Sequence, residues 1–132
     1  MGNQAAYNVY KQNSVYTASP GELTLMLYNG CLKFIHQGIK GIEEHNIVQR
    51  NENIKKAQAI ILEFITTLDM KYEISKQMLP LYEYMHRRLI EANIKNDKDI
   101  LVEIEGLVTE FRDTWKEVIR INRQKQNIGD LV

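Results

Sequence analysis

The chain has 132 residues, enough for one domain with a core that needs no covalent staples. Hydrophobic residues make up 44%, which excludes global disorder, and the 17 basic and 17 acidic residues cancel, which excludes a strongly basic nucleic-acid binder. The single cysteine, Cys31, excludes an internal disulfide and favours a reducing compartment.

The segment from Met1 to Ala6 holds neither a basic cluster nor an apolar stretch, so it is not a secretory signal. Ala6 stands where a myristoylation motif after Gly2 needs Ser or Thr. No run approaches the ~20 apolar residues of a membrane span. These features predict a soluble protein of the cytosol with no membrane insertion. Residues 1–19 place Tyr7, Tyr10 and Tyr16 among small and polar residues with no sustained period, and read as an extended N-terminal arm.

Apolar residues then recur at helical spacing, and no strand-type alternation occurs, so the class is all-α. Ser19-Pro20-Gly21-Glu22 starts the first helix, with Ser19 as N-cap, Pro20 at the first helical position and Glu22 closing a capping box. That helix is predicted over about 20–45. The second is predicted over about 52–69, with Ile54, Ala57, Ile61, Phe64 and Leu68 as its stripe. The third is predicted over about 74–93, striped by Met78, Tyr82, Met85, Leu89 and Ala92, with a kink or late start at Pro80. The fourth is predicted over about 97–123, capped by Asp97 and striped by Leu101, Ile104, Val108, Phe111, Trp115 and Val118. Residues 124–132 read as a frayed tail. Short connections at 46–51, 70–73 and 94–96 imply an elongated antiparallel up-down-up-down four-helix bundle over 20–123.

Helix one carries two adjacent apolar stripes. Leu25, Tyr28, Leu32, Ile35, Ile39 and Ile42 form one; Leu23, Leu27, Gly30, Cys31, Phe34, Gly38 and Gly41 form the other. At 100° per residue they span roughly 200°, whereas a helix on the outside of a bundle needs little more than ~100°. Ile100, Leu107, Ile119 and Ile121 likewise lie off the main stripe of helix four. Two explanations are open. The seam is wide, with small glycines admitting close helix approach, or a groove is kept for a partner helix or a second copy.

The chemistry-bearing residues do not assemble. A di-iron bundle needs two Glu-x-x-His motifs, and Glu83-Tyr84-Met85-His86 is the sole one, because Lys33 and Ile42 precede His36 and His45. No metal site and no cofactor is expected. Cys31 lies on the apolar side of helix one, where a thiol is inert. No phosphate-binding glycine loop occurs. Lys116, Arg120, Arg123 and Lys125 form a basic stripe whose simplest role is to complement the dipole at the end of helix four. Neither an enzyme nor a nucleic-acid partner is indicated.

Asn13-Ser14-Val15, Thr17 to Leu23 and Leu25-Met26-Leu27-Tyr28-Asn29-Gly30 resemble the N-terminal signature of the FliS flagellin export chaperones. Asn53 to Gln58, Leu81 to Met85, Arg87-Arg88-Leu89, Ala92-Asn93 and Trp115-Lys116 resemble it in order and spacing, most closely a Gram-positive, Bacillus-like member. Pro80 departs from the family helix. The resemblance implies a cytoplasmic chaperone that binds the disordered C-terminal segment of flagellin in apolar grooves, prevents early polymerisation and delivers it to the flagellar type III export gate. It also implies an arm that occupies a groove when flagellin is absent. The expected flagellin contacts are Tyr7, Tyr10, Val15, Leu25, Tyr28, Asn29, Leu32, Ile35, Tyr82 and Met85, with plain core as the alternative for Leu32, Ile35 and Met85. A self-associating bundle, a homodimer in the absence of substrate, is the second reading.

Overall fold

A computed structural model describes the backbone of residues 20–131 and the side chains of 21–125. The arm expected over residues 1–19, with Tyr7, Tyr10, Val15 and the Ser19 cap, lies outside the described residues. Four helices follow in order: α1 Pro20–Glu43, α2 Ile47–Thr67, α3 Glu73–Lys95 and α4 Lys98–Leu131. They form an all-α four-helix bundle in which each helix packs on its chain neighbours and α1 closes the ring against α4.

Cross-helix pairs give the register. Along α1 and α4, Glu22 pairs with Arg123, His36 with Glu105 and Glu43 with Lys98. Along α1 and α2, the ring of Tyr28 meets Phe64, and Cys31 meets the carbonyl of Ala57. Along α2 and α3, Phe64 meets Tyr82 while Arg50 bonds Asn93. Residue numbers rise on one helix as they fall on its neighbour in each of these three pairs.

The connections owe their brevity to local chemistry. His45, at φ 54°, turns the chain left-handed after α1. The amide of Asn46 then bonds the Gly41 carbonyl at 2.8 Å, a Schellman-type closure. The Asn46 side chain accepts from the amide of Gln49 at 3.0 Å and so caps α2. Helix α2 therefore starts at Ile47, ahead of the position near 52 that periodicity marked, because a cap set its start before its apolar stripe began. Asn96 repeats the left-handed stop after α3, and Asp97 caps α4 by accepting from the Asp99 amide at 2.9 Å. Helix α3 shows no late start. It begins at Glu73 and runs through Pro80, whose exposed position lets water satisfy the carbonyl a turn earlier. Helix α4 extends to Leu131, past the boundary near 123 drawn from sequence.

The core takes the predicted stripes of all four helices. Ile54, Ala57, Ile61 and Phe64 of α2, Tyr82, Met85, Leu89 and Ala92 of α3, and Leu101, Ile104 and Val108 of α4 are buried. Each fully buried aliphatic side chain contributes about 1.5–3 kcal/mol. The wide apolar arc of α1 is accounted for by its place between α2 and α4. Leu27, Tyr28, Cys31, Leu32 and Ile35 are buried, and Phe34, Ile39 and Ile42 pack against the same cluster. Gly38 and Gly41 let the neighbours approach. A Cβ on Gly38 would lie 3.1 Å from Ile54 Cγ1 and 3.5 Å from Leu101 Cδ1, and one on Gly41 would lie 2.6 Å from the Arg50 amide nitrogen. The wide-seam explanation holds for most of α1. The large aliphatics that remain exposed lie mainly on α2 and α3, among them Ile47, Val48, Leu62, Ile74, Leu81 and Ile94.

Candidate peptide-binding surface

Where α1 begins, α4 still has a long way to run. Gly21 faces Ile119, and a Cβ on Gly21 would meet Ile119 Cγ1 at an ordinary 3.5 Å. The indole Nε1 of Trp115 donates to the Gly21 carbonyl at 2.8 Å. That carbonyl belongs to the first turn of the helix, and its bond to Trp115 ties the start of α1 to α4. Beside this contact the two helices leave a cleft of about 320 Å³, with Leu25 and Ile119 as its apolar lining and Glu22, Lys116, Arg120, Arg123 and Gln124 around them. A second cleft of about 310 Å³ shares Glu22, Ile119 and Arg123 and adds Gly21, Trp115, Val118 and Asn122. The two clefts share Glu22, Ile119 and Arg123 along the α1–α4 seam; the first is mainly apolar and the second more polar.

Ion pairs shape its charged edge. Arg123 reaches across to Glu22 of α1. Arg120 is bound to Glu117 on its own helix, and this hydrogen bonding holds the Glu117 carboxyl below its ordinary range. Lys116 has no carboxylate partner among the described residues. The basic stripe is therefore no end-of-helix device: α4 continues to Leu131, and its last turn carries no basic residue.

The sequence-predicted contacts divide. Leu25 lines the cleft. Asn29 is exposed one turn further on and accepts from Arg112 at 3.5 Å. Tyr28, Leu32, Ile35, Tyr82 and Met85 are core residues here, each at most 5% exposed. The rings of Tyr28, Phe64, Tyr82 and Phe111 form a ladder with centroids 4.7, 5.5 and 5.5 Å apart. One of the two tyrosine hydroxyls donates to the other at 2.6 Å inside the core. Tyr82 thus spends its hydroxyl on Tyr28 rather than on an incoming backbone. Tyr7, Tyr10 and Val15 lie outside the described residues. Sequence reasoning missed Lys116, Ile119, Arg120 and Arg123 as cleft residues. Their signal was present in the off-stripe Ile119 and the basic spacing around it.

The described residues bring together no group of three or more His, Cys, Asp or Glu side chains. Cys31 is fully buried, and burial pushes its thiol up to about 12, so it is no nucleophile at neutral pH. Among the described residues no helix is long and apolar enough to cross a membrane.

An apolar cleft on the seam between two helices is the geometry by which helical binding proteins hold a partner segment. The comparison with known proteins agrees. The family described as "Flagellar protein FliS" matches residues 2–122. The flagellar secretion chaperone FliS of Bacillus subtilis is 53% identical over 127 residues, 96% of each chain. The proteins of that name from Campylobacter jejuni and Salmonella typhimurium are 34% and 32% identical over 120 residues, covering 89% of this chain and 94% and 89% of theirs. The chain belongs to the FliS family, a family of flagellar chaperones and not of enzymes.

Proposed function

We propose that this protein is a cytosolic export chaperone that binds the disordered C-terminal segment of flagellin, keeps it from polymerising and hands it to the flagellar type III export gate. The observation that carries the reading is the mainly apolar cleft along the α1–α4 seam in a chain of this family. A segment entering such a cleft folds as it binds. Ordering it costs several kcal/mol, which burial of ~1,000–3,000 Å² offsets. Leu25 and Ile119 supply the first apolar contacts, and Asn29 stands beside them with a side-chain amide available to a guest backbone. The N-terminal arm, with Tyr7, Tyr10 and Val15, competes for the same cleft in the absence of flagellin. Tyrosine suits that exchange, because its ring buries well and its hydroxyl tolerates water.

Calorimetric titration with the cognate flagellin C-terminal segment tests the reading. A 1:1 complex with a negative heat-capacity change is the expected result, and absence of heat and of co-elution at micromolar concentration overturns it. One observation favours self-association as a second reading. Ile47, Val48 and Ile94 are 66, 65 and 79% exposed near the α1–α2 and α3–α4 connections. A sedimentation coefficient that rises with concentration supports a homodimer in the absence of substrate, and a constant monomer value removes it.

A further inference from the structure

We infer that the α1–α4 cleft is a docking site for an amphipathic segment that carries carboxylates beside its apolar anchor, seated on Leu25 and Ile119 and held at its edge by Lys116, Arg120 and Arg123. The inference rests on the reading above and assigns the chemistry of the guest.

The argument is one of charge complementarity. The whole chain is neutral, yet the cleft wall carries Lys116, Arg120 and Arg123 against the carboxylates of Glu22 and Glu117, an excess of one cation. Of the three, Arg123 is tied to Glu22 and Arg120 to Glu117, while Lys116 stands unpaired by any carboxylate among the described residues. Lys116 and Arg120 are one helical turn apart on α4, and Arg123 lies three residues beyond. They line the same wall that supplies Ile119. An entering helix with an aliphatic residue on Ile119 and acidic residues a turn to either side meets Lys116 on one side and shares Arg123 with Glu22 on the other. A guest with lysines in those places meets like charge, which selects against it. Apolar contact supplies the affinity, and the cationic wall sets which face and which direction of the guest is accepted.

Three synthetic amphipathic helical peptides test this. They share one leucine face and carry glutamates, glutamines or lysines beside it, and each is titrated into the full chain by fluorescence anisotropy. At low salt the glutamate peptide is expected to bind about two- to fivefold more tightly than the glutamine peptide for each cation it meets, and the lysine peptide to bind worst. Raising the salt from ~0.05 to ~0.5 M is expected to close these gaps. Lys116→Glu is expected to weaken the glutamate peptide and strengthen the lysine peptide. Lys55→Glu, on α2 and outside the cleft, changes neither. Circular dichroism confirms that both variants fold, as substitution at exposed positions allows. Equal affinity of the three peptides at low salt overturns the inference, as does an equal effect of the two charge reversals. If the flagellin segment binds and Lys116→Glu leaves its affinity and salt dependence unchanged, the acidic-guest assignment falls and the chaperone reading stands. If flagellin does not bind while the glutamate peptide binds with the Lys116 dependence, the docking site stands and its partner is another acidic segment.

Discussion

Tyr28 and Tyr82, on helices whose backbones nowhere come close, join their hydroxyls at 2.6 Å in the middle of the core. The bond links α1 to α3 across the diagonal of the bundle, where no backbone contact does. Each hydroxyl is the other's partner within a wall of aromatic and aliphatic groups. Removing one strands the other, at a cost of about 1–3 kcal/mol. Tyr82→Phe and Tyr28→Phe are each expected to lose that amount in urea denaturation. The double variant is expected to lose clearly less than the two losses added, because it leaves no orphan hydroxyl. Additive losses in the double-mutant cycle would mean that the two hydroxyls do not depend on one another.

The glycines give a paired prediction of opposite sign. Gly41 lies where a Cβ would stand 2.6 Å from the Arg50 amide nitrogen and 2.9 Å from its Cα, both backbone atoms that cannot rotate aside. Gly41→Ala is expected to cost about 1–3 kcal/mol by forcing α1 and α2 apart. Gly106 sits on the exposed face of α4 with nothing within 4 Å of a Cβ. Gly106→Ala is expected to stabilise by about 0.5–1 kcal/mol through helix propensity. Thermal midpoints moving in opposite directions check both.

These glycines also mark how far the sequence could be read. The four helical stripes were legible because burial repeats with the period of the helix. Ile54, Leu89 and Leu101 are inside for that reason. The width of the α1 arc was legible too, but its cause was not. A glycine that admits a neighbour and a glycine that lines an empty groove leave the same mark in a one-dimensional pattern, and only the 3.1 Å from the Gly38 Cβ position to Ile54 Cγ1 separates them. For the same reason the pattern alone offers both guest contact and plain core for Leu32 and Ile35, and points Tyr28 toward a guest although it is buried. Ile119 and Lys116 stand out in the sequence but do not assemble into a cleft there, because a cleft belongs to two helices and its depth depends on where one starts relative to the other.

Alkaline pH supplies a test of Cys31. Burial raises its thiol from an ordinary 9.0 to about 12, so the folded state favours the neutral form. Its stabilising contribution is complete below about pH 9, where the unfolded thiol is also protonated, and is lost as pH rises from there through about 12. Burial, and in Tyr82 also the neighbouring phenol, raises the two tyrosines as well, and they join the decline above about pH 10. Cys31→Ala is expected to lower stability at neutral pH by on the order of 1 kcal/mol through a small cavity. It is also expected to postpone the onset of alkaline destabilisation from about pH 9 to about pH 10. Unfolding midpoints measured across that range decide it; an unchanged onset would show that the thiol takes no part.

Trp115 is the chain's one tryptophan, and it lines the second cleft, beside Ile119, while bonding the first turn of α1. Its fluorescence is therefore a single-site reporter of the seam. Trp115→Phe keeps an aromatic side chain, though a smaller one, and removes the donor to the Gly21 carbonyl, whose bond contributes about 0.5–1.5 kcal/mol. The loss falls on the tie between α1 and α4 at the mouth of the cleft rather than on the core, so guest affinity is expected to fall with it while the aromatic ladder stays intact. In the unaltered protein, a guest seated on Ile119 desolvates the indole. Its emission is expected to shift to shorter wavelength and to resist acrylamide quenching as the flagellin segment is added. A guest that binds by calorimetry and leaves both properties unmoved sits elsewhere on the bundle, with the exposed α2–α3 aliphatics as the surface to examine next.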